Sequence, residues 1–586
     1  MKLKNVAAGM MVFVLIVSMA ACGERTTTTN LQSEDTTKEN QSSDETGSEM
    51  LDLEEIIPEK TVTLNVYSQV ANYQGEQIGW FAKVIKDKFN VKLNIINDGT
   101  DGVFATRMES GNLGDIVIFG NDTDQYHQAI DKGMLLNWNE DQILADYGPY
   151  MNKNMTKAFE KNKKISGGKI YGFGHDVAVK KNSYGEFEYH PDIRWDLYQK
   201  IGSPNVDTLE DYVNVLKKMK EICPKSDSGK ETYGVSLFND WDGDMVMFVK
   251  ATATNFFGVD EFGVGFYDAE TGDFQGCLED NGYYTRCLKF YNSLYREGLL
   301  DPDSMTQGYD GCMEDYKDGT AFFCIFGWMA APLYNSTEHV NQGKMMLPLA
   351  AKEQDTLVYG LNTNGNNRVW AIGENTQHPE LCMAIINWLC TPEGRLITEY
   401  GPKGVCWDYD EKRNALITDF GYEVKNSAEL KMPEDSGYDG LWKDGCPQFN
   451  NTTWSLYTEN PESNGETYYY KYWPNVLARK VSPVEKSWRE ATKSITSKDY
   501  LSKFKFSVSK PNTYSASIKS DELDTTYNQV TKCIKDGSWQ AIYAKSDEEF
   551  NRIVEKMKTE AASYGYQQCI DWCKREAKLR KASEEK

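Results

Sequence analysis

Residues 61–67, Thr-Val-Thr-Leu-Asn-Val-Tyr, and residues 115–119, Asp-Ile-Val-Ile-Phe, decide the fold class. In the first, Val62, Leu64 and Val66 keep the two-residue period of a strand with one face buried more deeply than the other. In the second, the apolar run is continuous, the pattern of a central strand covered on both faces. Between them Ile78, Phe81, Ala82, Ile85 and Phe89 recur at three- and four-residue steps. That spacing predicts a helix laying one apolar stripe on a sheet, with Lys83, Lys86 and Lys88 toward solvent. Val91, Leu93 and Ile95 alternate again. Strand, helix, strand, helix, strand is the parallel α/β pattern, whose ligands sit beyond the carboxyl ends of the strands. Those ends are Tyr67-Ser68-Gln69 and Phe119-Gly120-Asn121-Asp122.

A second α/β unit is expected from about Tyr184. Asp207-Thr208-Leu209-Glu210 reads as a helix cap, because Glu210 stands three residues after Asp207. Leu209, Tyr212, Leu216 and Met219 then share a face, and Pro224 stops the segment after Ile222. Val264–Tyr267 and the stretch after Asp273 flank a turn at 268–272, a hairpin. Gly263-x-Gly265 lacks the third glycine of a dinucleotide loop and precedes no helix, so no cofactor is assigned there. Leu381, Ile385, Trp388 and Leu389 mark a helix. Another begins at Thr391-Pro392-Glu393, with a hydroxyl to cap free N–H groups, proline where its missing donor costs nothing, and Gly401 as the stop.

The chain opens with Lys2, Lys4 and an apolar run from Val6 to Val17, too short for the ~20 residues of a membrane-spanning helix and suited to an export signal. Met19-Ala20-Ala21-Cys22 resembles the lipobox of bacterial lipoproteins, which implies cleavage before Cys22 and lipidation of its thiol. The polar run from Gly23 to about Glu49 cannot bury enough apolar surface to offset its chain entropy and reads as a disordered leash. The remainder of the chain is too long for one hydrophobic core. The net charge is −24 over 586 residues, which argues against nucleic acid as a partner. Setting Cys22 aside, the remaining cysteines match no zinc spacing, and several lie in apolar runs such as Ala321-Phe322-Phe323-Cys324-Ile325, where a buried thiol is the better reading. No metal is assigned.

No H-E-x-x-H, G-x-S-x-G or complete phosphate loop is present, and the histidines at 127, 175, 190, 339 and 378 have no ligand spacing. Two carboxylates across a cleft would suit a glycosidase, with Asp240, Asp242 or Asp244 as one of them, but spacing along the chain does not fix that gap. The chain is read as a binding protein and not an enzyme.

Gly298-Leu299-Leu300-Asp301-Pro302-Asp303, the Thr391-Pro392-Glu393-Gly394 helix start, the stretch Tyr400-Gly401-Pro402-Lys403-Gly404-Val405-Cys406-Trp407 and the tail from Trp539 to Trp572 together resemble the large extracellular solute-binding lipoproteins of Gram-positive sugar transporters. The resemblance implies an α/β, two-lobed periplasmic-binding-protein-like fold of the second class, with a cleft between lobes and an enlarged C-terminal part. It also implies an ABC-type permease as partner, a single-copy receptor held at the outer face of the cytoplasmic membrane through Cys22, and no cofactor. By similarity, 1–21 is the signal peptide and 22–57 the anchored linker. Residues 58–175 and 366–430 form the N-terminal lobe, and 176–365 and 431–586 the C-terminal lobe. The tyrosine-rich region 430–515, with Tyr468, Tyr469, Tyr470, Tyr472 and Trp473, is either a cap over the cleft or a surface-packed insertion.

The chain carries 14 Trp and 35 Tyr. Sugar rings dock on such side chains while nearby Asp, Asn and Gln bond the hydroxyls. Asn239-Asp240-Trp241-Asp242 follows the strand-like Val235–Phe238, and Gly327-Trp328 follows Ala321–Phe326, so both tryptophans stand at strand ends. Gly327-Trp328 is also where sugar-binding relatives often place a stacking tryptophan. Trp328, Trp241, Asp240, Asp242, Asn121, Asp122, Gln69 and Tyr359 are therefore the expected ligand contacts, and a neutral oligosaccharide the expected ligand. Alternatives are an oligopeptide receptor, a glycoside hydrolase and a polysaccharide adhesin.

Overall fold

The computed structural model describes residues 55–99, 102–180, 183–425 and 429–584. The expected export signal, Cys22 and nearly all of the leash lie outside the described residues. Among the described residues no helix is long and apolar enough to cross a membrane.

The opening stretch forms the sheet its periodicity predicts. Val62–Ser68 pairs parallel with Val91–Asn97 on one side and Ile116–Phe119 on the other. Val369–Ile372 adds antiparallel to Ile116–Phe119 and carries Gly172–Gly174 beyond it, while Gly75–Glu76 closes the far edge, six strands in all. The unbroken run at 116–119 is covered on both faces as expected. Ile116 and Ile118 enter one core, and Val117 and Phe119 a smaller one on the opposite side. Helix Gly79–Phe89 buries Trp80, Phe81, Val84, Ile85 and Phe89. Ile78 stays outside it, as the half-exposed residue before the first turn.

The second unit is built from short sheets and helices. Tyr189–Arg194 lies between Phe323–Phe326 and Met346–Pro348, both antiparallel to it. Asp355–Tyr359 pairs parallel with Lys505–Ser509, a strand almost 150 residues later. The predicted hairpin is present as Gly265–Asp268 against Phe274–Gly276. Val235–Phe238, read as a strand, is held by single-residue bridges instead, Val235 to Leu300 among them. The cap at Asp207 also fails. The helix runs Asp211–Ile222, and it is the Asp211 carboxylate that reaches back to the Asp207 and Thr208 amides at 3.0 and 2.9 Å. Glu210 is engaged elsewhere, paired with Arg286. The cap at Thr391 forms as read, and Ser546 caps helix Asp547–Tyr564 in the same way, accepting from the Glu549 amide.

Buried side chains divide into two large cores, and the division departs from the expected boundaries at one place. Leu64–Val177 and Trp370–Trp473 supply the first core, Phe187–Val358 and Val484–Cys573 the second. The stretch from Met432 to Trp473, expected with the C-terminal lobe, packs into the first core. Tyr468, Tyr469 and Trp473 are essentially sealed there, and the Tyr400 hydroxyl donates to the Tyr468 carbonyl at 2.7 Å. Composition marks such aromatics for burial without saying in which core. The tyrosine cluster is therefore interior packing and not a cap. All twelve described cysteines are free thiols, nine of them buried.

Trp473→Ala is expected to cost about 3–5 kcal/mol. Hydrogen exchange should then quicken in Val62–Ser68 and Ile116–Phe119 while helices Met247–Phe257 and Tyr283–Arg296 keep their protection. Loss of protection in those two helices instead would place 432–473 with the second unit.

Candidate functional site

The chain passes between the two cores three times, at 178–186, 359–369 and 474–483, and the first two passages lie side by side, with the 453–455 stretch of the first core alongside their start. Val177 N–H donates to the Thr453 carbonyl at 2.9 Å, Ala178 N–H to Asn362 at 3.0 Å, and Leu361 N–H to Ser183 at 2.8 Å. Close approach there requires glycine, since a Cβ on Gly174 would stand 1.9 Å from the Asn366 carbonyl oxygen. Around these passages the structure assembles an aromatic row and a set of polar side chains.

The aromatic row belongs to the second unit. Trp241 stacks on Tyr309 with ring centres 4.6 Å apart, meets Phe238 edge-on at 5.0 Å, and lies near-parallel to Trp328 at 6.4 Å. The row continues from Trp328 to Phe326 at 5.4 Å, to Tyr189 at 5.7 Å and to Tyr359 at 6.3 Å. Trp241 is 47% exposed, the open end of an otherwise half-buried series. Both tryptophans are held from behind. The Tyr309 amide, at the start of helix Tyr309–Lys317, donates to Asp240 Oδ2 at 2.7 Å, which ties the Trp241 loop to that helix. Trp328 follows Gly327, whose backbone crosses directly over His190; a Cβ there would stand 1.8 Å from Nε2.

Trp241, Trp328 and Tyr359 thus come together. The polar candidates behave differently. Asp242 is buried and spent internally, accepting from the Met247 amide at 2.9 Å and from Trp539 Nε1 at 2.8 Å, so it anchors the tail helix Asp521–Ile542 rather than presenting a carboxylate. Asp122 is likewise buried, in an ion pair with Lys161 at 3.0 Å. Gln69 accepts from the Gly120 amide at 2.9 Å and donates to Gln125, and Asn121, exposed, caps the Thr123 amide at 3.0 Å. The Tyr359 hydroxyl donates to Asp260 at 2.8 Å, and Asp260 in turn is gripped by Arg580. These first-unit candidates do face the second unit: Ser515 donates to Asp122 at 3.3 Å and Lys164 to Thr513 at 3.2 Å.

Sequence reasoning missed the charged groups that the passages gather. The Tyr472 hydroxyl, on the first core, donates to Glu186 beside the second. Burial pushes the Glu186 carboxyl up to about 7, against the pull of that hydrogen bond. Solvent reaches Glu188, yet protein hems in its carboxyl on enough sides that lost hydration, then the Asp176 and Asp260 charges, push it up to about 7 as well. Lys471 is pulled down by lost hydration, with Glu186 and Asp192 countering. The signal for them was faint: isolated charges beside aromatics, Glu186 and Glu188 around Phe187, Lys471 among tyrosines. Among the described residues no three His, Cys, Asp or Glu side chains gather into a metal site.

Two α/β cores joined by three chain passages, with an aromatic row beside two of them, make a two-lobed α/β fold. The comparisons agree with that class: the chain has the fold of the solute-binding proteins of ABC transporters. It is similar to the alginate-binding protein AlgQ2, with a TM-score of 0.57 and 17% identity over 89% of this chain and 99% of that one. A human-milk-oligosaccharide (HMO)-binding solute-binding protein from Bifidobacterium longum infantis aligns with TM-score 0.56 and 15% identity over 90% and 100%. The Streptococcus pneumoniae substrate-binding protein FusA, in complex with kestose, gives 0.56 and 14% over 89% and 99%. No family model matches the sequence. Lipoprotein LipO of Bacillus subtilis is 26% identical over 243 residues, so the match spans 39% of this chain and 40% of that relative.

The raised Glu186 carboxyl has a consequence for stability. An unfolded glutamate titrates near 4.3, so between there and about 7 the native chain holds more protons than the unfolded one, and stability falls as pH rises through that window. Replacing Glu186 by Gln removes this dependence. The melting temperature of wild type relative to Glu186→Gln is expected to drop from pH 4.5 to pH 7.5, by the equivalent of roughly 3 kcal/mol. A difference independent of pH would contradict it.

Proposed function

We propose that this chain is the solute receptor of an ABC-type importer, that it captures a neutral oligosaccharide between its two units, and that it passes the solute on unaltered to a membrane permease. The observation that carries the reading is the row Tyr309–Trp241–Trp328–Phe326–Tyr189–Tyr359, open to solvent at Trp241 and lying beside the passages. Its aromatic faces suit the apolar faces of successive sugar rings. The fold supports it, as do the names of its neighbours, which are those of carbohydrate-binding proteins.

Capture rather than catalysis is supported by the fate of the acidic candidates. Asp240, Asp242 and Asp244 each accept an internal donor, from the Tyr309 amide, from the Met247 amide and Trp539, and from the Tyr527 hydroxyl. Neutrality of the ligand is supported by the acidic balance of the whole chain, whose net charge is −24. Capture closes the units about their passages, because a few residues there suffice to absorb the change in backbone angle. Tethering rests on Met19-Ala20-Ala21-Cys22 and is supported by the resemblance to a lipoprotein.

Two experiments test the reading. Calorimetry against panels of neutral oligosaccharides and of peptides is expected to show binding only to the former. Trp328→Ala or Trp241→Ala should weaken it by about 1–3 kcal/mol, roughly 5- to 150-fold. Less than a twofold change in both variants, or tight peptide binding with no sugar response, overturns the site or the ligand class. Cys22→Ser should release the protein from membranes into the medium; undiminished membrane retention contradicts the anchor.

A further inference from the structure

Asn451 is the most conspicuous unsatisfied group near the passages. It is 7% exposed, and neither its amide nitrogen nor its amide oxygen has a hydrogen-bond partner among the described residues. Its neighbours in the same run are all engaged. Asn450 Nδ2 donates to the Val70 carbonyl at 2.6 Å, Thr452 Oγ1 to Asp176 at 2.9 Å, and Thr453 Oγ1 to the Leu389 carbonyl at 3.0 Å. Ser68 Oγ donates to the Phe449 carbonyl at 2.7 Å, and Trp370 Nε1 to the Thr452 carbonyl at 2.6 Å. Asn451 is therefore pinned at the carboxyl end of the Val62–Ser68 strand, where α/β sheets take their ligands. An amide buried without partners is costly, and chains retain such a group where something outside the fold completes it.

Three other polar side chains, unpartnered among the described residues, lie within reach of the charge of Asp176, the carboxylate bonded by Thr452 next to Asn451. Asp176, bonded to Thr452, acts through its charge on Arg368, Glu188 and Tyr457. The Arg368 guanidinium, half-buried, and the Glu188 carboxylate make no hydrogen bond or ion pair among the described residues. The Tyr457 hydroxyl is buried and unpaired. Glu188 also acts on the Tyr189 and Tyr359 hydroxyls, so this group continues the aromatic row rather than standing apart from it.

We propose that Asn451, with Arg368, Tyr457 and Glu188 around Asp176, forms a polar subsite that takes one uncharged sugar unit presenting two adjacent hydroxyls. This rests on the carbohydrate reading above and adds to it the contact from the first unit. A primary amide offers one acceptor and two donors in a plane, matched by one hydroxyl that donates and a neighbour that accepts. Arg368 supplies further donors and Glu188 an acceptor.

The test uses the mature chain and calorimetry against neutral trisaccharides (kestose, mannotriose, cellotriose and xylotriose), then monodeoxy forms of whichever binds most tightly. Asn451→Ala should weaken that saccharide about 10-fold or more, with a melting temperature in the absence of sugar equal to or above that of wild type, because the unpaired amide is gone. Arg368→Gln, at a half-buried position, should weaken it in the same direction. Removing one hydroxyl of the recognised pair should abolish the difference between wild type and Asn451→Ala. Binding within twofold of wild type in both variants, or a lowered melting temperature in Asn451→Ala with unchanged affinity, makes Asn451 structural and overturns the subsite alone. If wild type ignores every saccharide in the panel, the carbohydrate reading falls, and this subsite with it.

Discussion

The pairing of His175–Ala178 with two other stretches of chain is the constraint on which the rest of the molecule depends. On one side His175 and Ala178 exchange backbone hydrogen bonds with Arg368, Asn366 and Asn362, at 2.8, 2.7 and 3.0 Å. On the other, Val177 exchanges them with Thr453 and Ser455, both at 2.9 Å. Residues nearly 280 positions apart are thereby locked side by side at the edge of the first core, where the chain leaves it for the second. Burial in each core makes each unit a rigid body, whereas this narrow ribbon, with glycine at 174 and 365, is where relative motion is cheapest.

The electrostatics of the region follow from the same geometry. A surface carboxylate finds water and a buried one finds a cation, but Glu188 stands between those cases, reachable by solvent and yet crowded. Arg368, too, loses hydration without gaining a paired carboxylate. The deep ion pairs show the contrast: Arg395 with Glu399, and Lys161 with Asp122, are closed within the first unit. The same reasoning separates Asp242 from Asp240. Both flank Trp241, but one is sealed by two internal donors, while the other stays exposed and holds the loop in place through a single backbone amide.

How much of this the sequence made legible depends on the range of the interactions concerned. The sheet of the first unit follows from local periodicity at 62–66, 91–95 and 116–119, and the cap at Thr391 from residues within three positions. Trp241 and Trp328, singled out by strand-end logic, lie in one aromatic row, even though the Val235–Phe238 segment is only bridged and not a full strand. The assignment of 432–473 failed because nothing local distinguishes an aromatic bound for one core from one bound for the other. Asn451 was invisible for the opposite reason. Its significance lies in having no partner while Asn450 and Thr452 have distant ones, at Val70 and Asp176, which no pattern along the chain displays.

The most direct measurement of the central claim is a crystal structure of the mature protein with its tightest-binding neutral oligosaccharide. The account predicts one sugar chain lying between the units, with ring faces against Trp241 and Trp328, one sugar unit hydrogen-bonded to Asn451, and the Glu188 carboxylate on a hydroxyl. A saccharide bound on an outer face of either unit, with Trp241, Trp328 and Asn451 untouched, would contradict it.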